Sequence, residues 1–334
     1  ILKYATDTSY ALEDEEITRY QFLLDSTGVR FPEKPKPAKV RAVISEDTGS
    51  WHFGCGGYGF EIRKSDASIS VSDINGSGII NGFAVPCFTR PYSGVDVDGQ
   101  KGWARYSTWK AFAPEKTAIR LLDTAVSSSD DGSVMVDSTA AVDFEGFANG
   151  AYVHRQCRIF PDGTIDTSFV FDIDRRIEEI PRVGAEIVLA EGLSKLSYLG
   201  MGPYENYRDR KSACRTAFFE TTVEDTHYPY EPPSECGGHE DTTLISFADA
   251  TGRFVRFESE AAFHFDAHHN TISDYRSARH DHELERRPEI YVHIDAAHAG
   301  IGGDMGWSTF LAPEDRVKAG AYLLRFKTVV GQGK

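Results

Sequence analysis

Glu205, Tyr207, Asp209 and Arg210 fall within one short stretch, residues 199–210, that also holds Gly200, Gly202 and Pro203. The glycines and the proline are expected to stop any helix or central strand here. Carboxylates beside guanidinium groups can hold a polar ligand in a groove, or they can satisfy one another inside a fold, where an unpaired charge is expensive. Arginine beside carboxylate is the usual way for a fold to satisfy itself. Spacing alone therefore makes this stretch a buried structural corner in which Glu205 and Asp209 pair with Arg208 or Arg210. A second concentration of reactive side chains is His264, His268, His269, His280 and His282. His280 and His282 stand two apart, on different faces of the helix expected there, and the i, i+4 pair of a helical zinc site is missing. No metal ligand is assigned. His239, beside Glu240 and Asp241, reads as a local hydrogen-bonding residue in a glycine-rich turn. With 51 acidic residues in 334, carboxylates fall close together by chance, so none is singled out as acid, base or nucleophile.

The elements that position these residues read as strands. Val153, Arg155, Cys157 and Ile159 alternate with His154, Gln156 and Arg158, and Ile165, Thr167, Phe169, Phe171 and Ile173 repeat the period of two. Pro161-Asp162-Gly163 between them is a hairpin signal. Similar runs are expected at 40–44, 50–54, 58–63, 68–74, 118–123, 133–144, 185–189, 195–199, 243–248, 254–258, 262–266, 289–294 and 321–330. The one helix expected is 272–286, closed by Pro288. Many strands without strand–helix alternation exclude a doubly wound sheet and a (β/α)8 barrel. An all-β antiparallel sandwich of two large sheets is expected. Phe31 to Lys39 carries Pro32, Pro35 and Pro37 and reads as a linker, with residues 1–30 before it and 40–334 as the main domain.

A net charge of −15 with no Lys/Arg run argues against a nucleic-acid partner and against an anionic membrane surface. No apolar run approaches the ~18–20 residues of a membrane helix. The chain opens on Ile1 rather than Met, so we read it as part of a longer polypeptide. The compartment is not fixed by its own end, a cytoplasmic one being favoured. Cys55, Cys87, Cys157, Cys214 and Cys236 are odd in number and form no C-x-x-C pair. They are expected as mostly buried free thiols.

Tyr198-Leu199-Gly200-Met201-Gly202-Pro203 through Asp209-Arg210 resembles the Y-x-G-x-G-P-x-E-x-Y-x-D-R signature of the C-terminal, "small chain" domain of glycoside hydrolase family 2 beta-galactosidases. Ile180-Pro181-Arg182-Val183-Gly184, Tyr228 to His239, Ala278 to Leu284 and His298 to Trp307 resemble that domain's other motifs in the same order. The resemblance implies a galactose-mutarotase-like supersandwich, and makes residues 1–30 the remnant of a preceding β-sandwich. It implies a domain without catalytic residues or cofactor, since that family takes its two carboxylates from a barrel domain. Its partners would be that barrel, in the same or a partner chain, a β-galactoside such as lactose, and possible further copies of itself in a homo-oligomer. Trp307 is then the sugar-contacting residue, its indole face an apolar platform, with Asp304 and His298 shaping the loop around it. Phe88 to Asp96 resembles the family's f-x-R-a-p-t-D-n-D, which places Arg90 and Asp96 near the barrel or, alternatively, paired with each other on the surface. Gly94 and Met305-Gly306 depart from the family pattern. Two other readings fit a sandwich: a free-standing aldose 1-epimerase, which would need a His and a carboxylate as base and acid, and a carbohydrate-binding module.

Overall fold

The computed structural model describes residues 1–9, 11–18, 20–21, 42–97, 106–302 and 311–332. The chain divides into two units, Ile1–Arg30 and Phe31–Lys334. In the first, Leu2–Lys3 pairs antiparallel with Glu16–Thr18, and Tyr4 and Glu15 close the ladder through a backbone bond of 3.0 Å. The expected linker at 31–39 lies outside the described residues.

The second unit is the expected antiparallel supersandwich. Alternating sequence becomes alternating burial: in Ile165–Ile173 every residue of the Ile165, Thr167, Phe169, Phe171, Ile173 set is buried. The Asp-Gly hairpin forms as expected, with Phe160 and Thr164 bonded across it and Gly163 at φ 87°. One face of each half is apolar, so the halves must cover each other.

Strand Arg253–His268 shows how they do so. Its first part, Arg253 to Glu258, pairs with Glu258↔Lys327 to Arg253↔Gln332 of strand Ala321–Gln332. Its last part, His264 to His268, pairs with Asp295 to Tyr291 of strand Ile290–His298. The strand thereby belongs to both layers. One layer continues through Ile290–His298, Arg182–Leu189 and Gly78–Cys87 to Ser50–Cys55; the other continues through Ala321–Gln332, Ile165–Ile173, Phe147–Ile159 and Val134–Phe144 to Ala118–Ser128. Facing rings fill the space between: Phe83 meets Phe326 at 6.0 Å and Phe88 meets Phe171 at 5.8 Å, both edge-on. Arg155 crosses the same gap and donates to the carbonyls of Ala67, Phe83 and Ala84.

Three elements differ from expectation. The glycines near residue 200 do not stop the chain: Lys195–Leu199 is central, paired with both Arg215–Thr222 and His239–Ala248, and residues 200–202 continue the strand along Arg215–Thr222 alone. Glycine is required there by close approach, since a Cβ at Gly200 would lie 2.2 Å from Thr242 Oγ1 and 2.9 Å from its Cα. The runs 254–258 and 262–266 are one strand. The helix is only Ile272–Ser277, started by a Thr271/Asp274 capping box and ended by extended Ala278. Because His280 is also extended, its ring stacks on that of His282 at 5.5 Å rather than facing away. No helix among the described residues is long and apolar enough to cross a membrane.

Gly200→Ala is expected to lower stability by about 1–3 kcal/mol, the usual cost of overpacking. Urea unfolding followed by circular dichroism checks this, and an unchanged midpoint would refute the close-approach reading.

Candidate functional site

Three neighbouring strands bring a set of charged side chains to one place. Register puts Arg182 opposite His298, and Asp295 and His293 opposite His264 and Asp266. His264 with Asp266, and His293 with Asp295, sit two apart and therefore share a face. Gly184 makes the room: a Cβ there would lie 2.0 Å from Asp295 Oδ1. Arg182 is the centre. It donates through a short contact to Asp266 and lies 3.1 Å from Asp295 and 3.8 Å from Glu235. His293 bonds Asp266 at 2.6 Å and Glu186 at 3.2 Å, and His264 bonds Asp295 at 2.9 Å. Asp266, Asp295, Glu235 and Arg182 are all buried, so these carboxylates have no face to offer a substrate.

The residues expected as a structural cluster join this set. Glu205 accepts from Arg210 at 2.7 Å, from the Tyr230 hydroxyl, and from the Gly237 N–H at 2.9 Å. The Tyr207 hydroxyl donates to Glu235 at 3.3 Å. Asp209 takes neither Arg208 nor Arg210 as expected. It accepts the N–H groups of Ile301 at 3.1 Å and Gly302 at 2.8 Å. Arg90 and Asp96 are paired, at 3.0 Å, but in the interior and not on the surface. Arg90 also donates to the carbonyls of Ala299 at 2.6 Å and Gly300 at 3.0 Å, and its guanidinium lies 5.1 Å from the Trp109 ring centre. His298 is buried, 3.5 Å from Arg90 and 3.6 Å from Glu235. The segment 298–302 is thus gripped on its carbonyls by Arg90 and on its N–H groups by Asp209. Asp304 and Trp307 lie outside the described residues.

Burial and neighbours set the protonation states. Desolvation pushes Glu235 up to about 7. Desolvation works against ionised Asp266 as well, but the charges of Arg182 and His293 hold it well below the usual carboxylate range. His293 is held well above its ordinary value by Asp266 in spite of burial. Burial drives His298 well below, and His239 down to about 4, so both stay neutral. Among the described residues, two donor groups could in principle hold a cation: His264, Asp295 and His298, and separately His227, Cys236 and His268. The first already has Arg182 against Asp295 and Arg90 against His298, fixed positive charges that repel a metal ion.

The sequence profile described as "Beta galactosidase small chain" matches residues 56–328. The chain belongs to that family. Beta-galactosidase from Streptococcus thermophilus is 27% identical over 311 residues, 92% of this chain and 29% of that protein. Beta-galactosidases from Enterobacter cloacae and Pseudoalteromonas haloplanktis are 30% and 33% identical over 209 and 149 residues, covering 62% and 44% of this chain and 19% and 14% of theirs. This small-chain domain therefore spans less than a third of the length of these relatives. Among solved structures, a putative aldose 1-epimerase of Escherichia coli K12 aligns with 87% of this chain and 100% of its own, at 9% identity and TM-score 0.42.

Sequence reasoning missed the centre of the small-chain domain's polar cluster. Arg182 and Glu235 stood in family motifs without a role. His264 and Asp266 could have been found as polar residues alternating with Phe263 and Phe265 on one strand.

The histidines and acids make stability depend on pH with a definite sign. His239, His268 and His298, buried with depressed values, take up protons on unfolding, so stability is lost as pH falls below the unfolded-state value of about 6.5. Glu235, with its raised value, works in the opposite sense between about 4.3 and 7, one group against three. Above about 6.5 the raised His293 releases its proton on unfolding, and stability is lost as pH rises through its folded value. Urea midpoints measured from pH 4 to 9 are expected to peak at roughly 6.5–7. His293→Gln should flatten the alkaline limb; a profile with no maximum would contradict these assignments.

Proposed function

We propose that this chain is the C-terminal domain of a β-galactosidase that hydrolyses terminal β-galactosides, and that it performs no bond cleavage itself. Its role is to pack on the catalytic barrel of the same or a partner chain and to present Trp307 to the sugar in the barrel's site. The observation that carries this reading is the double clamp on residues 298–302. The buried Arg90 and the partly buried Asp209 spend charge on four backbone groups of one short segment, a costly arrangement whose effect is to fix where the following residues leave the fold. Those residues include Asp304 and Trp307. An indole placed against the C–H face of a pyranose lowers the energy of the bound sugar without taking part in proton transfer.

The close carboxylates support a non-catalytic domain. Glycoside hydrolysis needs two carboxyl groups on either side of an accessible glycosidic bond, and Asp266, Asp295 and Glu235 are engaged with Arg182 in the interior. On this reading residues 1–30 are the remainder of a preceding sandwich, 31–39 the linker, and Arg90 and Asp96 support the face turned to the barrel. The packing face also serves a homo-oligomer.

The test uses the full-length enzyme. Trp307→Ala is expected to raise KM for lactose about tenfold or more, the equivalent of ~1.4 kcal/mol, with the melting temperature unchanged. Asp209→Asn, which weakens the clamp while keeping its shape, should move KM in the same direction by less. Wild-type kinetics in Trp307→Ala, or hydrolysis of a β-galactoside by residues 1–334 alone, would sink the proposal.

A further inference from the structure

Beside the Arg182 cluster, three short segments converge on a small group of soft and borderline donors. His227 follows the short 3-10 turn Glu224–Thr226, Cys236 lies in the loop before strand His239–Ala248, and His268 ends strand Arg253–His268. Tyr275, from helix Ile272–Ser277, reaches into the same space. The Tyr275 hydroxyl lies 2.8 Å from His227 Nδ1 and 3.2 Å from His268 Nδ1. Cys236 Sγ lies 4.0 Å from His227 Nδ1 and 3.9 Å from the Tyr275 oxygen. One donor atom from each of His227, Cys236 and His268 falls within 4.8 Å of the others.

Both imidazoles are oriented in the same way. His227 turns its other nitrogen, Nε2, to Asp281 at 2.7 Å. His268 turns its Nε2 toward Asp266 at 3.7 Å. At His227 the hydrogen-bonded carboxylate fixes the proton on Nε2 and leaves a lone pair on Nδ1, the arrangement that metal-binding histidines use, while at His268 the more distant Asp266 faces Nε2 without a hydrogen bond. In both residues the nitrogen left over is Nδ1, and both Nδ1 atoms face the same centre as the thiol.

We propose that His227 Nδ1, His268 Nδ1 and Cys236 Sγ form a binding site for a zinc-class divalent cation, with the Tyr275 oxygen at the fourth corner. Tetrahedral zinc, with Zn–N about 2.0–2.1 Å and Zn–S about 2.3 Å, holds its donor atoms roughly 3.3–3.6 Å apart. Four of the six edges, 2.8, 3.2, 3.9 and 4.0 Å, bracket that range, and the donor atoms of the three residues all lie within 4.8 Å of one another, so closure draws the wider edges in. Binding releases the thiol proton to solvent and leaves the imidazoles neutral. His227 and Asp281 are about 30% exposed, at 29% and 31%, and provide the way in from solvent, while Cys236 and His268 are buried.

The experiment titrates the purified, reduced and chelator-treated chain with cobalt(II) chloride and then with zinc chloride. One equivalent of cobalt is expected to give ligand-field bands of tetrahedral intensity and a thiolate-to-metal charge-transfer band, both abolished by one equivalent of zinc. Cys236→Ser should lose the charge-transfer band, and His227→Ala, which alters a partly exposed residue, should weaken cobalt binding at least tenfold while melting as the parent chain does. His280→Ala, outside the group, should bind as the parent does. Absence of saturable cobalt binding in the parent chain overturns the proposal. So does a charge-transfer band that survives in Cys236→Ser, or binding undiminished in His227→Ala.

Discussion

The guanidinium of Arg182 is the interaction on which the rest of the main unit depends. A full buried charge is tolerable only if it is surrounded by counter-charge, and here Asp266, Asp295 and Glu235 supply it. Three acids against one arginine would leave an excess of negative charge. Two features remove it. His293 is held protonated by Asp266, and Glu235, pushed up to about 7 by burial, is the acid that retains its proton most readily. Removing Arg182 alone would leave buried carboxylates facing one another, a loss of about 3–5 kcal/mol by the usual scale for one-sided truncation.

The same cluster fixes the exit of the segment after residue 302. Glu235 links Arg182 to Tyr207 and His298, and Tyr207 belongs to the same stretch as Asp209, which holds Ile301 and Gly302. The far side is held too: the Gly300 N–H donates to the Asp315 carbonyl at 2.8 Å, and Arg316 donates to the carbonyl of Leu311, itself buried, at 2.9 Å. Gly302 and Leu311 are therefore both held in place. Gly300 is required where the clamp closes, since a Cβ there would meet the Asp209 carboxylate at 2.5 Å and Leu311 at 2.8 Å.

What was legible in the sequence was whatever depends on neighbours in sequence. The hairpin across Pro161-Asp162-Gly163 and its flanking strands follow from a period of two and a turn residue, both local. The continuation of strand Lys195–Gly202 through its glycines was not legible, because Thr242, which makes glycine necessary at 200, is far along the chain. Gly78–Cys87 escaped for a related reason: Gly78, Asn81, Gly82 and Pro86 read as turn residues, and only pairing with Arg182–Leu189 makes them a strand. The polar cluster is the extreme case. Arg182 and Asp266 are 84 residues apart, and Arg90 and Ala299 are 209 apart.

A buried ionic cluster is a poor device for stability, because well-packed apolar residues of similar volume often serve equally well. That exchange is closed to Arg90 and Asp209. Their partners are backbone groups, two carbonyls and two N–H groups, and an apolar replacement would leave those groups buried and unpaired at about 1–3 kcal/mol each. The chain could avoid that cost only by pairing 299–302 within a regular strand. Strand Ile290–His298 ends just before, at the residue opposite Arg182, so the segment is held out of the sheet by side chains instead of by a ladder. Charge in the interior is in this sense the consequence of an irregular segment that must keep one conformation.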